Sequence, residues 1–132
     1  HGVVRDAGAH RVMDRGENPE PQSYTVVIDV VGGPDWACLI EALRPGGRYA
    51  VAGAIAGPMV EADLRTIYLN DITLYGCTFQ PAEVFADLVK LINEGRIKPH
   101  ISKTYPLRDI AIAQEDFISK QYPGKLVLIP PE

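Results

Sequence analysis

Between Tyr24 and Gly53 the chain reads YTVVIDVVGGPDWACLIEALRPGGRYAVAG. Two stretches, Val26–Val31 and Tyr49–Ala52, are apolar runs rather than alternations, broken only by Asp29, and glycine follows each. Runs of this kind belong to strands buried on both faces, the habit of parallel sheets. The segment between them has another period. Trp36, Leu39, Ile40 and Leu43 recur at spacings of 3, 4 and 7, which predicts a helix opened by Pro34 and stopped by Pro45-Gly46-Gly47. Parallel strands need such a crossover, and right-handed βαβ units present ligands beyond the C-terminal strand ends. The stretch holds no Gly-rich phosphate loop.

The same reading extends in both directions. The opening HGVVRDAGAHRVMDR predicts the tail of a helix stopped at Gly8, then a short strand Arg11–Met13. A start inside a helix suggests a piece of a longer chain. After the polar loop GENPEPQS and the strand Tyr24–Val31, Asp63 is placed to cap a helix through LRTIYLN. Ile72–Thr78 is β-branched and aromatic and reads as a strand. Pro81 opens a helix with a buried stripe of Phe85, Leu88, Val89 and Ile92, and Gly95 ends it. A Pro-punctuated strand lies in IKPHISKTYPL, and Asp109 caps a helix whose inward face is Ile110, Ala113 and Phe117. Gly124 then turns into a closing strand, Lys125–Ile129. The alternation of strands and helices is that of an α/β fold.

Composition narrows the function classes. At 132 residues the chain can bury a core without staples. The net charge of −4, with 13 scattered Lys and Arg, offers no basic stripe for nucleic acid. No apolar run approaches the roughly 20 residues that span a bilayer. Cys38 and Cys77 stand apart in apolar surroundings and read as reduced, buried thiols of a cytoplasmic protein. Asp29, inside an apolar strand, must be neutralised or hydrogen-bonded, and backbone or hydroxyl donors near the strand end are expected. His10 and His100 lack carboxylate neighbours in sequence. Glu115, Asp116, Lys120 and Lys125 read as a solvated face.

Six pieces in order give the chain a family resemblance: Gly8-Ala9-His10, VVIDVVGG, LRPGGRYAVAG, IYLNDITLYGCT, KTYPLRDIAIAQEDF and GKLVLIP. Together they resemble the C-terminal part of medium-chain dehydrogenases/reductases, the zinc-type alcohol dehydrogenase and quinone oxidoreductase superfamily. The resemblance implies that residues 1–95 are the second half of a Rossmann-like NAD(P)-binding domain, a parallel sheet with helices on both faces. Residues 96–132 would be a β-α-β return segment completing a GroES-like catalytic domain. The Gly-rich fingerprint and any catalytic zinc ligands would lie upstream, so no metal is expected on this chain.

The resemblance also names cofactor positions. Gly32 and Gly33 correspond to a loop along the ribose and adenine side; Gly53, Ala54 and Ile55 to one along the nicotinamide half; Cys77, Thr78 and Phe79 to backbone near the carboxamide. Glycine is equally what a plain strand-to-helix turn needs, and Cys77 and Phe79 also fit a core. Arg15 corresponds to a position that contacts the adenosine phosphate in NADPH-using members, where a guanidinium suits a 2′-phosphate, although a solvated arginine reads as well. Lys125 reads as an exposed strand start. The implied parent moves hydride between NADP or NAD, with NADP slightly favoured, and a small carbonyl, quinone or conjugated alkene. The implied assembly is a homodimer through the Ile72–Thr78 edge strand, which carries no protecting lysine or proline. Two rival readings remain: an S-adenosylmethionine methyltransferase, whose sheets share the L-R-P-G-G turn, and a non-catalytic dimerisation module.

Overall fold

The computed structural model describes residues 2–14 and 16–131. The elements run α1 (Gly2–Asp6), β1 (Tyr24–Asp29), α2 (Trp36–Glu41), β2 (Leu43–Val51), α3 (Leu64–Tyr68) and β3 (Thr73–Gly76). They continue with α4 (Ala82–Asn93), β4 (Ile101–Pro106), α5 (Ile110–Ser119) and β5 (Lys125–Ile129). Two compact units result: Met13–Phe79, and His1–Val12 with Gln80–Glu132. Both are α/β, and every strand pair is parallel.

In the Met13–Phe79 unit the strand order is β1-β2-β3, with α2 and α3 as the crossovers. Val27, Ile28 and Asp29 stand opposite Tyr49, Ala50 and Val51, while Tyr49, Ala50 and Val51 stand opposite Leu74, Tyr75 and Gly76. Ile40, Leu43, Tyr49 and Ile72 form the core. Trp36 and Leu39 of α2, Val27, Val51 and Ile67 of α3 pack against it. The Trp36 ring meets Tyr49 edge-on at 6.2 Å, a favoured aromatic geometry. Trp36, Leu39 and Ile40 of the predicted stripe are thus the packing face of α2, while Leu43, expected as its last position, is buried as the first residue of β2.

Several expectations shift here. The strand expected over Tyr24–Val31 ends at Asp29, because its carboxylate takes the N–H groups of Val31 and Gly32 and bends the chain out of the ladder. Pro45-Gly46-Gly47 does not separate helix from strand. It is a bulge within β2, four residues between Leu43 and Arg48 set against one between Tyr24 and Val26. The N–H of Gly46 is satisfied by the carbonyl of Asn70 at 2.7 Å. Arg11–Met13 is irregular, since an extended segment becomes a strand only within a ladder. The apolar runs are covered on one face only. Val27 and Asp29 lie toward the core, while Val26 and Ile28 are exposed, Ile28 at 73%. Pattern alone records what a strand is suited to bury, and α2 and α3 both pack on the cluster that covers one side. Asp63 caps α3 as expected, its carboxylate accepting from the Arg65 N–H at 2.9 Å.

In the other unit, β4 and β5 pair with α5 as crossover, a βαβ unit at the expected place. Among its described residues, Tyr105 and Ala113 are the buried ones. Asp109 precedes α5 but makes no side-chain cap, because a 3₁₀ turn over Leu107–Asp109 leads into the helix. Ile110 and Phe117, expected inward, are exposed. So are Phe85, Leu88 and Val89 of α4, with Ile92 half-buried, so the amphipathic stripe exists without being covered. Asp116 also departs from the solvated face expected of it. It accepts the Lys103 ammonium at 2.8 Å and the Tyr105 hydroxyl at 2.5 Å, tying α5 to β4. Lys103 and Tyr105 hold its carboxyl below the ordinary range.

Candidate functional site

The C-terminal ends of β1, β2 and β3 lie side by side, since Asp29 pairs with Val51 and Val51 with Gly76. Beyond β2 and β3 the chain forms an open concavity of about 450 Å³, lined by Val51, Ala52, Gly53, Ala54, Gly76, Cys77, Thr78 and Phe79. Five of the residues singled out from sequence meet there: Gly53, Ala54, Cys77, Thr78 and Phe79. The volume falls in the range of about 300–1,000 Å³ common for small-ligand sites. Its lining carries no charge, Phe79 is 84% exposed, and a Cβ built on Gly76 meets nothing within 4 Å.

Gly32, Gly33 and Ile55 stand elsewhere. Ile55 is 91% exposed and outside the lining. Gly32 and Gly33 occupy the loop after β1, both in the left-handed region (φ +63° and +86°). A Cβ on Gly32 would come within 3.0 Å of the Ala54 Cα, and one on Gly33 within 2.8 Å of the Ala56 Cβ. At Gly53 it would stand 2.6 Å from the Val30 carbonyl oxygen. All three glycines are therefore required by the seating of one loop on the other, whatever binds beside them. Arg15 lies outside the described residues.

Beneath these loops lies Asp29, 5% exposed. One carboxylate oxygen accepts the N–H groups of Val31 (2.8 Å) and Gly32 (2.9 Å); the other accepts the Tyr49 hydroxyl at 2.5 Å. Burial works against the charge, but the hydroxyl and the two N–H groups outweigh it and hold the carboxyl below its ordinary range. The Tyr49 hydroxyl is pushed up, first by burial and then by the carboxylate. The sequence called for donors to Asp29 without naming Tyr49. The period of two would have supplied it, because Tyr49 shares a face with Val51, the partner of Asp29. Val51, Ala52 and Gly76 also line the concavity, and their places at strand ends are the sequence signal that marks them.

Cys38 and Cys77 are free thiols, half-buried rather than buried. Cys38 sits in the short helix α2 and donates to the Asp35 carbonyl at 2.9 Å; burial and then Asp35 push its thiol up. Among the described residues no group of three His, Cys, Asp or Glu side chains is placed to hold a metal ion. No helix among them is long and apolar enough to cross a membrane.

Residues 3–128 match the description of a zinc-binding dehydrogenase. The chain belongs to the zinc-binding dehydrogenase family. A solved structure from Sinorhizobium meliloti 1021, classed as an alcohol dehydrogenase, is 40% identical over 98% of the chain with a TM-score of 0.84. A cobalt- and zinc-bound thermostable alcohol dehydrogenase from Pyrobaculum aerophilum is 34% identical over 98% of the chain, TM-score 0.79. An acryloyl-coenzyme A reductase of Sulfurisphaera tokodaii is 31% identical over 80% of it. The chain spans 38%, 39% and 32% of these three proteins, in that order. Membership of this dehydrogenase family confirms the resemblance read from the six sequence pieces and leaves the methyltransferase rival without support. The zinc of the family's description has no donor set among the described residues.

Proposed function

We propose that this chain supplies the nicotinamide side of a dinucleotide site in an NAD(P)-dependent oxidoreductase. The observation that carries the reading is the gathering of Gly53, Ala54, Cys77, Thr78 and Phe79 into one uncharged concavity at parallel strand ends. Such ends are where open α/β sheets receive nucleotides. The bound dinucleotide would supply hydride chemistry, between its nicotinamide and a carbonyl, quinone or conjugated alkene. The residues here would bind and orient the ring. Ala54 and Gly76 leave room for a flat group at the backbone, and Phe79 offers a face for packing. Acid groups and metal ligands for the substrate are assigned to other parts of the parent protein.

Alcohol oxidation and reduction of an acrylate-type double bond both pass a hydride, and relatives bearing those two names support the reaction class rather than one substrate. Arg15 favours NADP, because a guanidinium pairs bidentately with a 2′-phosphate. The homodimer reading rests on β3, an outer strand whose four residues are all exposed. Residues 1–95 are assigned to the nucleotide domain and 96–132 to the return segment.

Calorimetric titration of the chain with NADPH, NADH and, separately, S-adenosylmethionine tests the reading. Heat from either nicotinamide dinucleotide and none from S-adenosylmethionine is expected. Binding of S-adenosylmethionine alone would overturn it. Light scattering at micromolar concentration tests the assembly, a dimer mass being expected and a monomer mass removing that part.

A further inference from the structure

Among the described residues Asp29 is the only charged side chain that is buried. Its surroundings link both loops at the strand ends. The carboxylate gathers the Val31 and Gly32 N–H groups from the first loop and the Tyr49 hydroxyl from β2. The Asp29 carbonyl accepts the Ala52 N–H at 2.8 Å, and the Val31 carbonyl accepts the Ala56 N–H at 2.9 Å. The second loop closes on itself through the Gly57 N–H and the Ala54 carbonyl at 3.1 Å. The space that Cβ atoms on Gly32, Gly33 and Gly53 would need is taken by the facing loop. Two loops seated this tightly move as one, and the hydrogen bonds that fix the first of them to the sheet converge on one carboxylate.

We propose that Asp29 and Tyr49 are positioning residues, which lock the loop after β1 against the loop after β2 and so hold the Gly53–Ala54 rim where a dinucleotide needs it. This rests on the cofactor reading above. It differs from a purely structural account in one respect. Loosening the lock displaces the rim while the core of Ile40, Leu43 and Ile72 stays packed, so affinity falls in a protein that remains folded.

The test compares the unaltered chain with Tyr49→Phe, Asp29→Ala and Asp29→Asn, titrating NADPH and NADH by calorimetry where circular dichroism shows each protein folded. Tyr49→Phe keeps the ring and removes the hydroxyl; Asp29→Ala removes every acceptor. Tyr49→Phe is expected to weaken binding about tenfold, the loss that goes with one hydrogen bond to a charged group, and Asp29→Ala, which also frees the Val31 and Gly32 N–H groups, by at least as much. Asp29→Asn should restore most of the affinity, because its amide oxygen still accepts from Val31 and Gly32 and its NH2 can donate to the Tyr49 oxygen. If Asp29→Ala does not fold, Tyr49→Phe decides by itself. Unchanged dissociation constants in folded variants with lowered melting temperatures would overturn the proposal while leaving the cofactor reading intact. Failure of the unaltered chain to bind either dinucleotide would remove both.

Discussion

Strands β1 and β2 with α2, and strands β4 and β5 with α5, are both parallel pairs joined by a helix, yet only the first closes over an apolar cluster. There Ile40, Leu43, Tyr49 and Ile72 are buried together. The second pair buries Tyr105 and Ala113 and is tied across by Lys103, Tyr105 and Asp116. The difference lies in the helices. Trp36, Leu39 and Ile40 of α2 all turn toward their sheet, whereas of Ile110, Ala113 and Phe117 in α5 only Ala113 is covered. A shared topology therefore does not imply a shared source of stability. One unit buries an apolar cluster, whereas the other is joined by its ladder and a solvent-accessible charged cluster.

That contrast breaks most readily at Ile40. Ile40→Ala should cost about 2–5 kcal/mol, the range for emptying a packed core, and Trp36 near-ultraviolet dichroism during urea unfolding will report it. Tyr105→Phe should lower the melting temperature far less. Equal losses at the two positions would erase the distinction. Asp29→Ala ranks next, at about 1–3 kcal/mol, because the Val31 and Gly32 N–H groups and the Tyr49 hydroxyl lose their acceptor.

Acidity sharpens the same point. The folded Asp29 carboxyl lies below its ordinary value, and the unfolded one titrates at about 3.9. Its contribution is therefore complete above that pH and is lost as pH falls through the folded value. Tyr49 runs oppositely: its raised hydroxyl contributes fully below about pH 10 and loses that contribution as pH rises through the folded value. Equilibrium unfolding of the unaltered chain and Asp29→Ala from pH 2 to 7 should show the gap between them closing in acid. A gap constant over that range would contradict the assignment. The smallest effect is expected at Phe85→Glu on α4, a 67% exposed position. Stability of this chain should change by no more than about 0.5 kcal/mol, the usual bound for surface substitutions.

Much of this was legible in the chain. The closing strand Lys125–Ile129, the Asp63 cap, the packing face of α2 and the donors owed to Asp29 follow from local rules: β-propensity, capping, period and the cost of a buried charge. What escaped was non-local. Pro45-Gly46-Gly47 joins β2 because Leu43 finds Tyr24 across the ladder, which no window around the glycines reveals. Asp116 finds Lys103 from 13 positions away. The stripe of α4 and the outer face of β1 have the pattern of buried segments yet are exposed, because period reports what a segment can bury and coverage depends on what is packed there. At the candidate site, strand-end positions were legible as a set. That Gly32, Gly33 and Gly53 serve each other's loops was visible only once both loops could be placed together.

The central claim is that the concavity at the ends of β2 and β3 receives the nicotinamide half of a dinucleotide. Amide chemical-shift mapping of the isotope-labelled chain during titration with NADPH or NADH tests it most directly. The largest shifts are expected at Gly53, Ala54, Gly76, Cys77, Thr78 and Phe79, with smaller ones through Val31–Gly33. Saturable binding whose shifts fall elsewhere, such as along β4 and β5, would contradict it.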